Sequence, residues 1–575
     1  MLGTLDFPYA VRRVLPFVCA LGMGVFSIGA QGRVVAPSQF TPSSIAPTPP
    51  VDFQASEAAE SSPEINVPSG AKSIFVRLRR IEVTGEEDGL EEGAQTLKRP
   101  LEGRTVSVAE LYQFVAALQK LYAQAGYVLA RVVVPKQQVS DGGDFKVVIV
   151  QGFIEKVVTR GMDPSVRELV VERTRHLVGR RDVTLKDIER VLMIAGNLPG
   201  VTLQSALVRG EQEGGVQLVL AAQQKTVTGT IGPDNRLPDS LGTWQLGASM
   251  AFNNLLGQGE QIYVSSGLGL GGGTPLHQMG GGVIFPIGQD GLTFNPEYID
   301  SETRTESMPG VLATRGGFKR LALRLSYPLI FDHSRNLNLT GSFESIDQHV
   351  DASDFGVELS RDRYQVLRVG MNWSSTRLGN IPPLVGSIQL SKGLSGRDFT
   401  DVVVTGVPLS RQDAKPTFSK VDGEIRMIKP ISGGLNLSLT GRGQVSFSGP
   451  LFVSEQFSLD GAGGISTTSS GTFNVDSGVT ARVELAYPIS IQNGGGVMTF
   501  SPYVFGAAGM GRNWQATAVE QGSVNAAAYG VGVRFARNQG SFGSESLGLE
   551  VGRLHSNLEG ARSSTRFVLV GAVSF

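Results

Sequence analysis

Cysteine is nearly absent: the 575 residues contain one, Cys19. A disulfide-stapled secreted mini-protein is thereby excluded, because such folds need paired cysteines to replace a core. Long apolar runs are missing too. No internal stretch approaches the roughly 20 apolar residues that a membrane-spanning helix requires. Charge of one sign is also lacking: Lys+Arg 51 and Asp+Glu 52 give a net charge of −1, which offers nucleic acid no electrostatic purchase. The five histidines (176, 277, 333, 349, 555) are scattered, without metal-ligand spacing. No phosphate-binding Gly-Lys-Ser/Thr loop occurs. Phe542-Gly543-Ser544-Glu545-Ser546 does not join a strand to a helix, as a nucleophile elbow would. The expectation is a non-enzyme with no cofactor and no metal.

What is plentiful is glycine, 74 residues against an average near 7%. At the start, Arg12-Arg13 precede an apolar run from Val14 to Ile28, followed by the small pair Gly29-Ala30. This order reads as a secretory signal peptide over residues 1–30, with Cys19 inside it. Residues 31–72 are rich in Pro, Ser and Ala and read as a flexible linker, with room for a short plug helix near 51–60.

Two similar blocks follow, at 73–152 and 153–224. In the first, Ile74 to Thr84 alternates apolar and polar residues. Ser107-Val108-Ala109-Glu110 has capping-box spacing, and Val108, Leu111, Val115, Leu118 and Tyr122 share one helical face until Gly126. Tyr127–Val134 and Phe145–Val150 read as strands around the turn Asp141-Gly142-Gly143. The second block repeats the grammar. It has a strand at Ile154–Thr159, a helix at Ser165–Leu177, and a second helix capped by Thr184 with Ile188, Val191, Leu192 and Ala195 inward. Strands at Val201–Val208 and Val216–Ala221 close it. Two β-α-α-β-β units form an internal repeat.

After Gln224 helical spacing gives way to period-2 alternation. Leu435, Leu437, Leu439, Val445 and Phe447 share one phase, and Asn436, Ser438, Thr440, Arg442, Gln444 and Ser446 the other. Leu321-Leu323-Leu325-Tyr327 likewise alternates with Arg320, Arg324 and Ser326. Residues 225–575 have room for about 16 membrane strands at roughly 9–11 residues each plus turns. A soluble sandwich would also alternate. It would not run this long as one unit, nor present Arg and Glu (Arg482, Glu484) as a polar lumen wall. The expected fold is therefore multidomain, two β-α-α-β-β units before a transmembrane antiparallel β-barrel. The chain ends with Phe567, Leu569, Val573 and Phe575 in one phase. Such an ending resembles the assembly signal of outer-membrane barrels.

Leader, Pro-rich linker, two POTRA-like units and a Phe-terminated barrel together resemble the two-partner secretion transporters, the haemolysin- and haemagglutinin-exporting branch of the POTRA-barrel superfamily. The stretches that carry the resemblance include Leu198-Pro199-Gly200-Val201, Asp234-Asn235, and Phe252-Asn253-Asn254-Leu255-Leu256-Gly257-Gln258-Gly259-Glu260. Further on come Phe457 through Gly464 and Arg482-Val483-Glu484-Leu485-Ala486-Tyr487-Pro488. The resemblance implies an outer-membrane pore with its POTRA units in the periplasm, exporting a dedicated unfolded exoprotein without nucleotide. It implies the assembly machinery, periplasmic chaperones and outer-membrane lipid as partners in biogenesis. Substrate capture by β-augmentation would use a groove between Tyr127–Val134 and the helix Val108–Leu121. The candidates there are Leu111, Leu118, Tyr127, Leu129 and Val132, although core packing also explains Leu111 and Leu118. Assembly of other membrane proteins, or passive solute passage, are the rival readings.

One departure from the family pattern stands out. The family carries a Val-Arg-Gly-aromatic tetrad on a loop that folds into the pore, where its Arg pairs with an Asp of a Phe-x-Asp-x-Gly strand. Here the matching stretch is Ile465-Ser466-Thr467-Thr468-Ser469-Ser470-Gly471, without Arg, and Ala507 stands at the Asp place. The anchors left to the loop are Ser466, Thr467, Thr468, Ser469, Ser470 and Phe473. The expectation is a loosely held loop, or its replacement by a segment such as Gly396-Arg397-Asp398-Phe399.

Overall fold

The computed structural model describes residues 35–47, 54–55, 67 and 70–575, apart from 86, 88, 274, 307–311, 377–381, 494–495, 518–519, 539–542 and 559–560. The predicted leader lies outside the described residues.

The first unit is built on the strand Phe75–Thr84, with helices α1 (Glu91–Lys98) and α2 (Val108–Gln124) and the strands Thr105–Ser107, Arg131–Val133 and Gly143–Val150. The capping box forms: Ser107 Oγ accepts from the Glu110 N–H, and the Glu110 carboxylate accepts from the Ser107 N–H at 2.7 Å. Leu111, Phe114, Val115, Leu118 and Tyr122 of α2 then bury against Leu78, Ile81, Phe145, Val147 and Ile149 of the sheet. The edge strand is shorter than its alternation suggests. Residues 127–130 turn back toward α2, through Ala130 N–H to Tyr127 O at 3.1 Å, before pairing starts at Arg131.

The second unit repeats the plan with α3 (Pro164–Thr174) and α4 (Leu185–Gly196), strand Phe153–Arg160, and the hairpin Val201–Arg209 and Gly215–Gln224. Thr184 and Asp187 form its capping box, and Ile188, Val191, Leu192 and Ala195 enter the core as their spacing requires. The short helix expected near 51–60 is not seen in its described part. Gln54–Ala55 is extended and pairs in parallel with Gln204 and Ser205 on the edge of this sheet. Backbone pairing to an open edge satisfies peptide groups that a two-residue helical fragment would leave free.

From Val227 to Ser574 a closed antiparallel barrel of 16 strands is formed. One strand is interrupted at Tyr487-Pro488: Ser477–Ala486 and Ile489–Asn493 both pair with Gly496–Arg512. Proline has no N–H to continue the ladder, so the break falls there. Alternation sorts the side chains. On Thr314–Phe331, Leu321, Leu323, Leu325 and Leu329 face outward, while Phe318, Arg320 and Ala322 are buried inside. On Asn436–Ser446, Gln444 and Ser446 point inward and Val445 outward. An apolar belt around a closed sheet leaves no unpaired edge in lipid. Closure joins the last strand to the first: Phe575 and Gly229 exchange both backbone hydrogen bonds at 3.0 Å. The Asn235 carboxamide clamps the seam, donating to Phe567 O (3.1 Å) and accepting from Leu569 N–H (2.9 Å).

Candidate functional site

The second unit seats on one end of the barrel through three successive turns. Ser165 at the start of α3 meets Asn254 at 3.0 Å, and Glu172 accepts from Gln289 at 2.7 Å. On α4, Glu189 lies 2.9 Å from His333 Nδ1, and Arg190 donates to Pro328 O and Leu329 O. Two of the resemblance motifs form this joint. Gly200 has φ +67°, and its carbonyl accepts from Lys225 N–H at 2.8 Å where chain passes from sheet to barrel. The buried Glu260 carboxylate gathers Leu256 N–H (2.7 Å) and Gln258 N–H (3.1 Å), shaping the turn that α3 meets.

The lumen is occupied by two segments of the chain itself. The first is residues 35–47. A single 3-10 turn, Pro37–Gln39, packs on the strands Leu292–Thr305 and Thr314–Phe331. The polypeptide then runs on with Pro42 O and Ser43 O accepting from Arg320 and Arg324 at 2.9 and 2.8 Å. Ser44 Oγ and the Ile45 N–H both donate to Glu297 at 3.0 Å. No side chain of this segment carries the charge; the wall supplies it, through Arg320–Glu297 at 3.1 Å and Arg324–Glu297 at 2.9 Å.

The second occupant is the long loop between Ser446 and Ser477. Its limbs pair as a two-residue ladder, Phe457–Ser458 with Asn474–Val475. Asp460 organises the fold of the loop by accepting from Thr472 N–H (2.8 Å) and Phe473 N–H (3.3 Å). Phe457, Leu459, Ile465, Phe473 and Val475 pack on Tyr503, Phe505, Ala507, Val524, Ala526, Ala528 and Leu554. Ala507, at the place where the family has an acid, is therefore part of an apolar seat for the loop.

Charge lies beneath the tip, on the wall. Arg482 is 3% exposed, sits over the Phe505 ring at 4.0 Å, and pairs with Glu484 (2.7 Å) and Glu550 (2.6 Å). Its third nitrogen donates to Ser466 Oγ at 2.6 Å, and that hydroxyl in turn donates to Glu550. Tyr503 donates to Glu550 at 2.9 Å, and Arg534 closes the circuit on Glu484 at 2.8 Å. Thr467 is fully buried under Gly552, Ser469 accepts from Arg566, and Ser470 N–H donates to Arg236 O at 2.8 Å. Thr468 bonds Thr472 within the loop.

The expectation of a loosely held loop is thus corrected. Five apolar side chains buried at about 1.5–3 kcal/mol each outweigh one absent ion pair, and the Ser466 and Ser469 hydroxyls are held by charged partners. Arg397 and Asp398 do not replace the loop: Arg397 donates to Arg361 O and Val407 O, and Asp398 caps the short helix α5 (Phe399–Thr405) outside the lumen.

At the base of the loop, Glu455 is 1% exposed and accepts from Arg368 (2.6 and 3.0 Å), Lys420 (2.8 Å) and Tyr364 OH (2.8 Å). Sequence reasoning did not single out Glu455, Arg368, Lys420 or Glu550. Alternation places the last three inward, but a partner 87 residues away along the chain leaves no local signal. Of the capture candidates, Leu111 and Leu118 lie in the core of the first unit, with Tyr127 and Val132 half-buried beside it. Leu129 packs in the core of the second. Phe567, Val573 and Phe575 are exposed on the outer face of the last strand, and Leu569 is half-buried.

Residues 214–535 match the family described as haemolysin secretion/activation protein ShlB/FhaC/HecB, and residues 76–152 match the ShlB-type POTRA domain. The outer membrane transporter CdiB of Escherichia coli is 23% identical over 56% of this chain and 55% of its own length. The hemolysin transporter protein ShlB of Serratia marcescens is 23% identical over 46% and 49%. The chain thus matches about half the length of these curated relatives. Among solved structures, CdiB from Escherichia coli superposes with TM-score 0.66 at 20% identity, covering 90% of this chain and 95% of that one. CdiB from Acinetobacter baumannii gives 0.58 at 17%, covering 87% and 90%. At such identities the structural likeness establishes the fold, and the family match, spanning more than half of the sequence, establishes the lineage: the chain belongs to the ShlB/FhaC/HecB haemolysin secretion/activation family.

Proposed function

We propose that this chain is an outer-membrane pore that captures an unfolded partner protein in the periplasm and exports it through the barrel lumen. The observation that carries the reading is the combination at one barrel end. The second of two POTRA-type sheets is fixed there, with the first joined to it, and behind them lies a polar, charge-lined lumen filled by two segments of the chain's own polypeptide. Residues 35–47 already lie in the lumen in largely extended form, and Gln54–Ala55 adds as a strand to the edge of the second sheet, which supports a route that accepts unfolded chain. Capture at a sheet edge needs only backbone groups and tolerates varied side chains. The loop 447–476 and residues 35–47 move aside during passage in this reading, and no nucleotide step is invoked. In biogenesis, the outward Phe567, Leu569, Val573 and Phe575 serve as the assembly signal read by the barrel-assembly machinery. The candidates for side-chain contact with substrate at the first sheet are Val132, on the edge strand, and Tyr127, just before it.

The test is the proteome of the medium from a strain lacking this chain. Loss of one large secreted protein, restored by the chain in trans, supports export. Loss of bulk outer-membrane barrels instead supports the assembly reading.

A further inference from the structure

We propose that Glu455 is the latch of the occupied lumen: held by Arg368 and Lys420 of the wall, it positions the pore loop and, through it, residues 37–39. This rests on the reading that the loop must move for export. Three observations converge on it. First, Glu455 is the point where, among the described residues, the loop between Ser446 and Ser477 ion-pairs with strands of the barrel wall. Its other ion pair, Asp476 with Arg411 at 2.5 Å, lies at the far end of the loop and goes to the connection between Leu384–Gly396 and Ser419–Pro430, and the tip engages wall charges through hydroxyls. Second, the clamp draws on three neighbouring strands. Arg368 comes from Val357–Ser375 and also donates to Ser391 (2.9 Å) of Leu384–Gly396, while Lys420 comes from Ser419–Pro430. Glu344 holds the far side of Arg368 at 3.1 Å, so the guanidinium is also anchored by the wall itself. The backbone joins in: Glu455 O accepts from Lys420 (2.9 Å) and Gln444 (3.0 Å). Third, the 3-10 turn Pro37–Gln39 packs directly against the turn Val453–Glu455, so both occupants meet at the turn that Glu455 ends.

The physical argument turns on what a buried ion cluster does. An apolar side chain of similar volume would hold the loop at least as firmly, since desolvation offsets most of the Coulomb gain. Ions differ in needing their geometry intact, so once the clamp is disturbed an uncompensated charge drives the segment out toward water. That makes Glu455 a two-state holder. The polarity is the reverse of the loop arginine that the family resemblance led us to expect, with the acid on the loop and the base on the wall.

The test reads loop position directly. A reporter cysteine replaces Thr467, a buried residue whose hydroxyl has no hydrogen-bond partner, in a full-length chain whose Cys19 is Ser. Labelling by a membrane-impermeant maleimide on intact cells is slow with Glu455 present. Glu455→Gln is expected to speed it roughly tenfold, about 1.4 kcal/mol on the opening equilibrium, and Glu455→Asp to keep it slow. Labelling at the parent rate in Glu455→Gln overturns the latch. So does unchanged labelling with a lowered heat-shift temperature, which marks a purely structural residue. If Glu455→Gln does not assemble, Lys420→Met, which removes one of the two cations, is scored in the same way. Faster labelling in Glu455→Gln, together with a deletion strain whose medium lacks no secreted protein, leaves the latch standing and overturns the export reading.

Discussion

Arg482 shows how the chain compensates for the acid and base missing from their expected places. The guanidinium sits on the wall instead of the loop, spans Glu484 and Glu550, and offers its remaining nitrogen to Ser466. Truncating it leaves two buried carboxylates facing each other, and removal of one partner from a buried pair costs about 3–5 kcal/mol. Arg482→Ala is therefore expected to lower the temperature of the heat-induced mobility shift clearly. Ser466→Ala loses hydrogen bonds to charged groups, about 1.5–3 kcal/mol each before relaxation, and should shift it less. Equal shifts would mean that the hydroxyl, not the cation, is the centre of the cluster. In the first POTRA unit, Arg79 donates to Asp144 at 2.8 and 2.6 Å and, with Arg80 nearby, pushes its carboxyl down to about 2. The folded value lies below the unfolded one, so this contribution is complete above about pH 4 and fades as pH falls toward 2. Pepsin digestion of this unit should accordingly separate the parent from Asp144→Asn at pH 4 and converge at pH 2.

Elements were legible where one period dominates. α2 and α4 announce themselves by Ser107/Glu110 and Thr184 with apolar residues at 3.6 spacing, and both form with complete capping boxes. The barrel strands were readable as alternation because one face meets lipid and the other a polar lumen. The strand Arg131–Val133 came out shorter than its alternation, since the preceding residues cap the end of α2 instead of pairing. Gln54–Ala55 is a strand only because an open sheet edge receives it, and that is a tertiary fact. The apolar seat of the pore loop was equally hidden: Ile465 and Phe473 meet Ala507 and Ala526 across distant strands. The α4 joint carries its own prediction. Arg190→Ala removes the donor to Pro328 O and Leu329 O, and His333→Ala the partner of Glu189. The pair together should raise trypsin cleavage between the second unit and the barrel, without changing the barrel's heat shift. Unchanged cleavage would place the hold on the apolar contact of Met193 and Ile194 with Phe331 and on the α3 contacts at Asn254 and Gln289.

At the scale of the whole molecule, the closed seam predicts that the assembled chain migrates differently before and after heating in detergent. Deleting Phe575 removes two backbone hydrogen bonds to Gly229 at that seam, so assembled yield should fall while synthesis stays constant; an unchanged yield would assign the signal elsewhere. Removal of residues 74–224 should leave a barrel that still inserts but releases no partner, because the proposed function assigns capture and passage to different units. Architecture on this scale was visible in the order of textures along the sequence. The filling of the lumen was not, because residues 35–47 have no periodicity and are ordered by tertiary partners, Arg320, Arg324 and Glu297 of the wall and the apolar seats of Val35, Phe40 and Ile45. The central claim is that an exported chain passes where these segments now lie. Its most direct measurement places a photo-crosslinking residue at Gln389, which faces the lumen cavity, in cells exporting the partner. The account predicts a covalent adduct between this chain and the secreted partner that disappears when export stops. Continued export with no lumen adduct would contradict it.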